Sequence, residues 1–237
     1  EYYLTDTMKI IKDKGSKVGV FVGATIEELM GVNSRVQLSQ AEAIMRKRIN
    51  KRHMDNGVTI INPENTYIES NVQIGKDTII EPGVMLKGNT EIGEECIIGM
   101  NSSITNSKIG NFTEIKISTI IDSAVGENTT VGPYAYLRPK SNVGNHVKIG
   151  DFVEVKNANI GDYSKASHLS YIGDADVGKD VNIGCGVVFV NYDGKNKFRS
   201  VVEDGAFIGS NSNLVAPVHI QHKGYIATGS TITEDVP

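Results

Sequence analysis

Tryptophan is absent from this 237-residue sequence, and all aromatic residues together make up only 6%. So few rings suit an interior too narrow to hold them. Cysteine occurs twice, at Cys96 and Cys185, with no metal or redox spacing between them, so the pair reads as two reduced thiols of a cytoplasmic protein. No apolar run approaches a membrane span and no secretory leader is visible. A basic excess is missing too: 24 Lys and Arg stand against 28 Asp and Glu, a net charge of −4. That balance argues against a nucleic-acid binder.

What the sequence does have is a period of six. Ile68, Ile74, Ile80, Leu86, Ile92, Ile98 and Ile104 fall at six-residue steps, and the series resumes after one-residue slips at Ile109, Ile115 and Val125. It continues through Val131, Leu137, Val143, Ile149 and Val155 and, less regularly, to Ile232. Four residues after each aliphatic comes a small or β-branched residue, such as Thr78, Val84, Cys96, Ser102 or Thr113. Neither a helix nor an ordinary strand recurs at six. A short extended segment, a corner and another short segment do, with two side chains per unit turned inward. Three units close a triangular coil of about 18 residues, and stacked coils make a parallel β-helix, the hexapeptide-repeat pattern. Glycine often follows the aliphatic, as at Gly75, Gly93, Gly144, Gly150 and Gly209, and is expected to turn the corner through positive φ.

The first part of the chain reads differently. Thr5 or Asp6 caps a short helix through Lys14, Lys17 to Val22 is expected to form a strand, and Thr25 to Met30 a brief helix. One α/β unit buries little, so residues 1–37 read as the α/β remnant of a doubly wound domain whose larger part lies elsewhere. Ser39-Gln40-Ala41-Glu42 forms a capping box, which predicts a connecting helix within 38–57 that runs to about Met54. Residues 58–237 form the β-helix domain. The expected fold is therefore mainly β, with an α/β remnant and a connecting helix ahead of the solenoid. The basic residues Arg46, Lys47, Arg48, Lys51 and Arg52 read as a solvated helix face.

One interruption stands out. After Phe189 the hexads stop, and Asn191-Tyr192-Asp193-Gly194-Lys195-Asn196-Lys197-Phe198 intervenes before Val202. Asn-Tyr-Asp-Gly is turn chemistry, and a loop thrown out of a rigid stack is a good carrier of function. Shortly before it, Arg138 and Lys156 lie 18 residues apart, one coil, and so stack about 4.8 Å from each other. Two cations that close call for an anion, with Arg forking onto a phosphate and Lys adding a point charge. The alternative is two separately solvated charges. His168 suits proton abstraction from an amine, with Glu154 near enough in sequence to orient its ring. The alternative is a polar surface histidine. His53, His146, His219 and His222 form no zinc set, which weakens a reading as a carbonic anhydrase.

The segments Arg138-Pro139, Gly150 to Lys156, Ser167 to Asp174, Val181 to Gly184 and Asn191 to Gly194 resemble those of the bacterial bifunctional enzymes that make UDP-N-acetylglucosamine, a cell-wall precursor. Those enzymes join a glucosamine-1-phosphate N-acetyltransferase to an N-acetylglucosamine-1-phosphate uridyltransferase. The likeness covers essentially the whole chain, and Glu1 to Asp6 with Gly31 to Arg35 resemble the end of the uridyltransferase domain. It implies a left-handed wind and a homotrimer with sites between neighbours. His168 is then the general base towards the sugar amine and Glu154 its orienter. Arg138, Lys156 and Lys197 hold the sugar 1-phosphate, Tyr171 and Asn182 position the sugar, and Asn191 sits beside the reacting amine. Backbone near Tyr192 stabilises the oxyanion, and Cys185, Ser210 and Thr228 line the acetyl-CoA site. Asn33 matches a magnesium ligand for uridyl transfer. Its partner carboxylate and the Gly-rich nucleotide loop have no counterpart in this sequence, so uridyl transfer is not expected of it. The family also continues past Pro237 with a tail that helps to close the acetyl-CoA site, so cofactor affinity is expected to suffer. Two other functions fit the repeat: a hexapeptide acyltransferase with another acceptor, such as serine or an acyl-carrier-linked substrate, and a structural solenoid attached to a nucleotidyltransferase. The inserted loop speaks against the last.

Overall fold

The computed structural model describes residues 3–237, so Glu1 and Tyr2 of the first motif lie outside the described residues. It divides into two compact units, Glu1–Ile44 and Met45–Pro237.

The first unit holds helix α1 (Asp6–Asp13) and the beginning of helix α2 (Arg35–Asp55). Thr5 makes no side-chain cap; instead the Asp6 carboxylate accepts from the Tyr3 backbone N–H at 3.0 Å. The expected strand at Lys17 to Val22 does not form. These residues have no regular structure and are exposed, Val20 by 93% and Phe21 by 92%, and no described strand pairs with them. A lone strand leaves its amides and its apolar face to water. The expected helix at Thr25 to Met30 is a single turn, in which the Glu28 carboxylate accepts from the Thr25 N–H at 2.8 Å. Helix α2 starts four residues ahead of Ser39. Ser34 caps it by accepting the Gln37 N–H at 3.1 Å, and the Gln37 side chain accepts from the Asn33 N–H at 2.7 Å. The capping chemistry was present one turn earlier, as Ser-x-x-Gln rather than Ser-x-x-Glu.

The second unit is a β-solenoid of parallel strands. Its three faces hold ten, ten and nine short strands: face A from Thr59–Ile60 to Tyr225–Ile226, face B from Tyr67–Ile68 to Thr231–Ile232, and face C from Gln73–Ile74 to His219–Ile220. Inward aliphatics stack in register, as in Ile80↔Ile98 and Leu137↔Val155, and Ile80, Leu86, Ile98, Ile115, Leu137 and Ile149 are fully buried. At most corners the residue three before the next aliphatic has positive φ and the one two before it packs inward. Five-residue sides fit the same rule. Asn106-Ser107-Lys108-Ile109 turns like Asn101-Ser102-Ser103-Ile104, so the slips shorten a straight side and spare the corner. Ile120, unassigned by the six-residue count, is fully buried as the middle of two such short sides.

The corners are not turned by the glycines that follow the aliphatics. Asn, Asp and aromatic residues hold positive φ, for instance Asn101 (56°), Tyr134 (58°) and Phe152 (56°). The post-aliphatic glycines serve close approach between coils. A Cβ on Gly75 would lie 2.6 Å from the backbone of Gly93, and one on Gly150 1.8 Å from the Ser167 carbonyl oxygen.

Within the second unit, the C-terminal part of α2 docks on the first coil. Asn50 is fully buried and donates to the carbonyls of Pro63 at 2.8 Å and Thr66 at 3.0 Å. Among the described residues no helix is long and apolar enough to cross a membrane.

Candidate active site

The strand Lys165–His168 belongs to face A and Tyr171–Gly173 to face B, so His168 stands at the edge between them. Asp151 lies in register with His168, one coil earlier, and its Oδ1 is 2.6 Å from His168 Nδ1. That contact holds the Asp151 carboxyl below its ordinary range. A carboxylate on Nδ1 selects the tautomer with the proton there and leaves Nε2 as a free acceptor. The orienting carboxylate is therefore Asp151, not Glu154.

Glu154 faces outward on face B and has another partner. Its Oε1 accepts from Arg138 at 2.8 Å across one coil, and Arg138 also lies over the Tyr136 ring at 5.9 Å. The bond to Glu154 raises the guanidinium's pKa further. Arg138 and Lys156 do occupy matching positions on adjacent coils, because Leu137 pairs with Val155. Tyr171 stacks one coil beyond Glu154, and its ring leans over Gly173, where a Cβ would meet the hydroxyl at 2.4 Å.

At the far edge of face B the ejected loop returns against the coil. Lys197 reaches Lys156, and this contact, followed by burial, lowers the Lys156 pKa, with Arg138 adding to the repulsion. Asp174 faces both lysines. Burial opposes its ionisation, but amide donors from Asn157 and Asn191 and the two ammonium groups outweigh that and depress its pKa. Arg138, Lys156 and Lys197 thus converge as three cations against Glu154 and Asp174, which leaves room for an added anion. The loop is pinned at both feet: Asn191 donates to Asp174, while Arg199 binds Asp176 and donates to the Asn157 carbonyl at 2.8 Å. Tyr192 and Lys197 pair as an antiparallel bridge at its neck, and Tyr192 is exposed.

Asn182 is not brought to Tyr171. It pairs with Lys165 on face A, on the His168 side of the edge. Asn191 is buried against Asp174 rather than open beside the base. Cys185, Ser210 and Thr228 each lie two residues past the stacked series Ile183↔Ile208↔Ile226, which continues that of Ala166. They form one column running on from His168 along the A/B edge. Asn33 is exposed in the first unit, and no group of three His, Cys, Asp or Glu able to hold a metal exists among the described residues. A single carboxamide is a poor magnesium site, because that ion takes carboxylate and phosphate oxygens.

The sequence reading overlooked Asp151, Asp174, Asn157 and Arg199. The first three carry the signal that drew attention to Arg138 and Lys156: Asp151 to His168, Asn157 to Asp174 and Asp174 to Asn191 are each one coil apart. Arg199 had no such spacing to betray it.

The family model for bacterial transferase hexapeptide (six repeats) matches residues 71–106 and 122–157. A bifunctional protein GlmU of Clostridioides difficile (strain 630) is 79% identical over all 237 residues, 100% of this chain and 52% of that protein. The chain is similar to GlmU proteins along its whole length. A second GlmU, from Listeria welshimeri, is 53% identical over the same 237 residues and 52% of its own length. A solved UDP-N-acetylglucosamine acyltransferase from Campylobacter jejuni aligns with a TM-score of 0.48 at 15% identity, over 75% of this chain and 68% of that chain. The chain spans about half the length of the GlmU proteins it matches.

Proposed function

We propose that this chain transfers the acetyl group of acetyl-CoA to the amine of glucosamine-1-phosphate, giving N-acetylglucosamine-1-phosphate for UDP-N-acetylglucosamine synthesis. The observation that carries the reading is the pairing of a proton acceptor and an anion cradle across one short face. His168, oriented by Asp151, stands at one edge and the Arg138, Lys156 and Lys197 cluster at the other, about 10 Å apart along a three-residue strand. Face B lies between them, and there Tyr171 offers a surface for the sugar ring.

His168 Nε2 takes the proton as the amine nitrogen attacks the thioester carbonyl. The tetrahedral intermediate collapses to the amide, and coenzyme A leaves as its thiol. The loop's neck at Tyr192 lies at the far edge of face B from His168, so its backbone N–H groups hold the oxyanion where a neighbouring copy brings them to the base. The column of Cys185, Ser210 and Thr228 gives the donor's thiol and pantetheine a path along the edge. Homotrimer formation, with a neighbouring copy completing each site, belongs to the same proposal.

The test mixes the protein with acetyl-CoA and glucosamine-1-phosphate and follows free thiol. Release of one thiol per amide is expected, and His168→Ala should lower turnover by about 10²–10⁴ with no change in melting temperature. Thiol release with serine or another unphosphorylated acceptor, but not with the sugar phosphate, would assign the chain to a different acyl acceptor. Light scattering reads the assembly.

A further inference from the structure

The acetyl-transfer reading uses Lys197 but not the side chain two residues after it. Arg199 reaches from the foot of the loop to face C, around the corner from the cationic cluster on face B. Its Nε and Nη2 fork onto the two oxygens of Asp176. Nη2 also donates to the Ala175 carbonyl at 2.9 Å, and Nη1 to the Asn157 carbonyl at 2.8 Å. The fork raises the guanidinium's pKa and holds the Asp176 carboxyl below its ordinary range. One side chain thus grips two successive coils. An ammonium, a point charge without a planar fork, could not make all these contacts at once.

The stack itself is closed without this grip. Ala175, Asp176 and Val177 pair in register with Ser200, Val201 and Val202 on one side, and Asp176 and Val177 with Asn159 and Ile160 on the other. The loop is where the grip matters. Asp193 Oδ1 accepts the N–H groups of Lys195 and Asn196 at 2.7 and 2.6 Å, and the Tyr192 hydroxyl donates to the Gly194 carbonyl at 2.7 Å. The tip is therefore a single fixed turn, and its tilt is set at its feet. Lys197 stands exposed on the returning leg and meets Lys156, whose pKa that contact lowers. Two ammonium groups left to themselves move apart. On the leg that carries Lys197, the polar side-chain tie to the stack is Arg199.

We infer that Arg199 is a positioning residue for the phosphorylated acceptor: its fork on Asp176 holds Lys197 against Lys156, so the anion meets a cradle already assembled. The inference rests on the phosphate-cradle part of the proposed function. Arg199 touches neither substrate and acts through Lys197 alone.

Calorimetric titration of the whole chain with inorganic phosphate, beside steady-state kinetics with glucosamine-1-phosphate, tests it. Lys197→Met removes the cation itself and should weaken phosphate on the order of tenfold, the scale of one charge-assisted hydrogen bond. Arg199→Lys keeps the charge but loses the fork. It should approach the same loss and raise KM for the sugar phosphate by a similar factor, with kcat and the KM for acetyl-CoA changed far less. Asp176→Asn should do the same from the other partner, to a smaller extent. Arg199→Lys combined with Lys197→Met should bind phosphate no worse than Lys197→Met alone. Losses that add, or Arg199→Lys binding phosphate as the parent does while Lys197→Met does not, would overturn the assignment. So would a lowered melting temperature with equal kinetic losses for both substrates, the mark of a general structural role. If Lys197→Met leaves phosphate binding unchanged, the cradle and the inference fall together. If the phosphate pattern holds and no thiol is released from acetyl-CoA, only the acetyl-transfer reading falls.

Discussion

The two units spend similar residue types to opposite effect. Val20, Phe21, Val22, Ile26 and Leu29 lie 74% to 93% exposed, whereas Ile80, Leu86, Ile98 and Leu137 are fully buried. The difference is not hydrophobicity but partnership. In the solenoid each strand finds its partner about one coil along its own chain, so every coil supplies the surface the next one needs. A segment such as Lys17 to Val22 depends on a partner that the repeat does not provide. Apolar content predicts burial only where the sequence also carries its own neighbour.

Glycine gives the sharpest way to break this contrast. Gly110→Val would thrust a Cβ to 2.7 Å from the backbone of Gly126 and Glu127, while Gly19 has nothing within 4 Å. Urea unfolding should show a loss of more than about 4 kcal/mol for the first and less than about 0.5 kcal/mol for the second. Next in size, Leu137→Ala should cost about 2–5 kcal/mol by opening a cavity in the stack. Phe21→Ala, at 92% exposure, should cost almost nothing in the same assay. Ser34→Ala removes the cap of α2 and should cost about 1 kcal/mol of helix stability by circular dichroism, with the solenoid's transition unmoved.

The smallest effect concerns the charges of the site. Asp174 titrates below its ordinary range in the folded chain, so it adds stability at neutral pH that is lost as pH falls through its depressed pKa. Asp174→Asn should flatten the acid arm of the melting-temperature profile. Lys156 is shifted down, so its charge is penalised on folding and stability rises as pH climbs from its lowered pKa towards the ordinary lysine range. Lys197→Met should remove that rise, and inorganic phosphate added to the parent should mimic the removal.

The solenoid was legible because its rule is periodic. Ile68 to Ile104 and Arg138 with Lys156 announce both the coil and its stacking. Corner chemistry was misread, since residues such as Tyr134 and Phe152 rarely hold positive φ and the nearby glycines drew the assignment. Among the candidate residues, His168 and Lys197 were picked out by type and place, but the partner of His168 was sought nearby in sequence rather than one coil away. Glu154 is 14 residues before His168 and sits on the next face; Asp151 is 17 before it and lies alongside. For a stacked chain, distance along the sequence misleads unless it is measured in coils. The first unit offered no such ruler, and there Lys17 to Val22 was read from local pattern alone.

Both ends of the Asn191–Arg199 excursion are fastened to carboxylates two residues apart, Asp174 and Asp176. Residues can be added to or removed from its tip without shifting a single coil above or below. Such an arrangement lets the excursion vary in length while the coils that carry His168 and Arg138 stay unchanged.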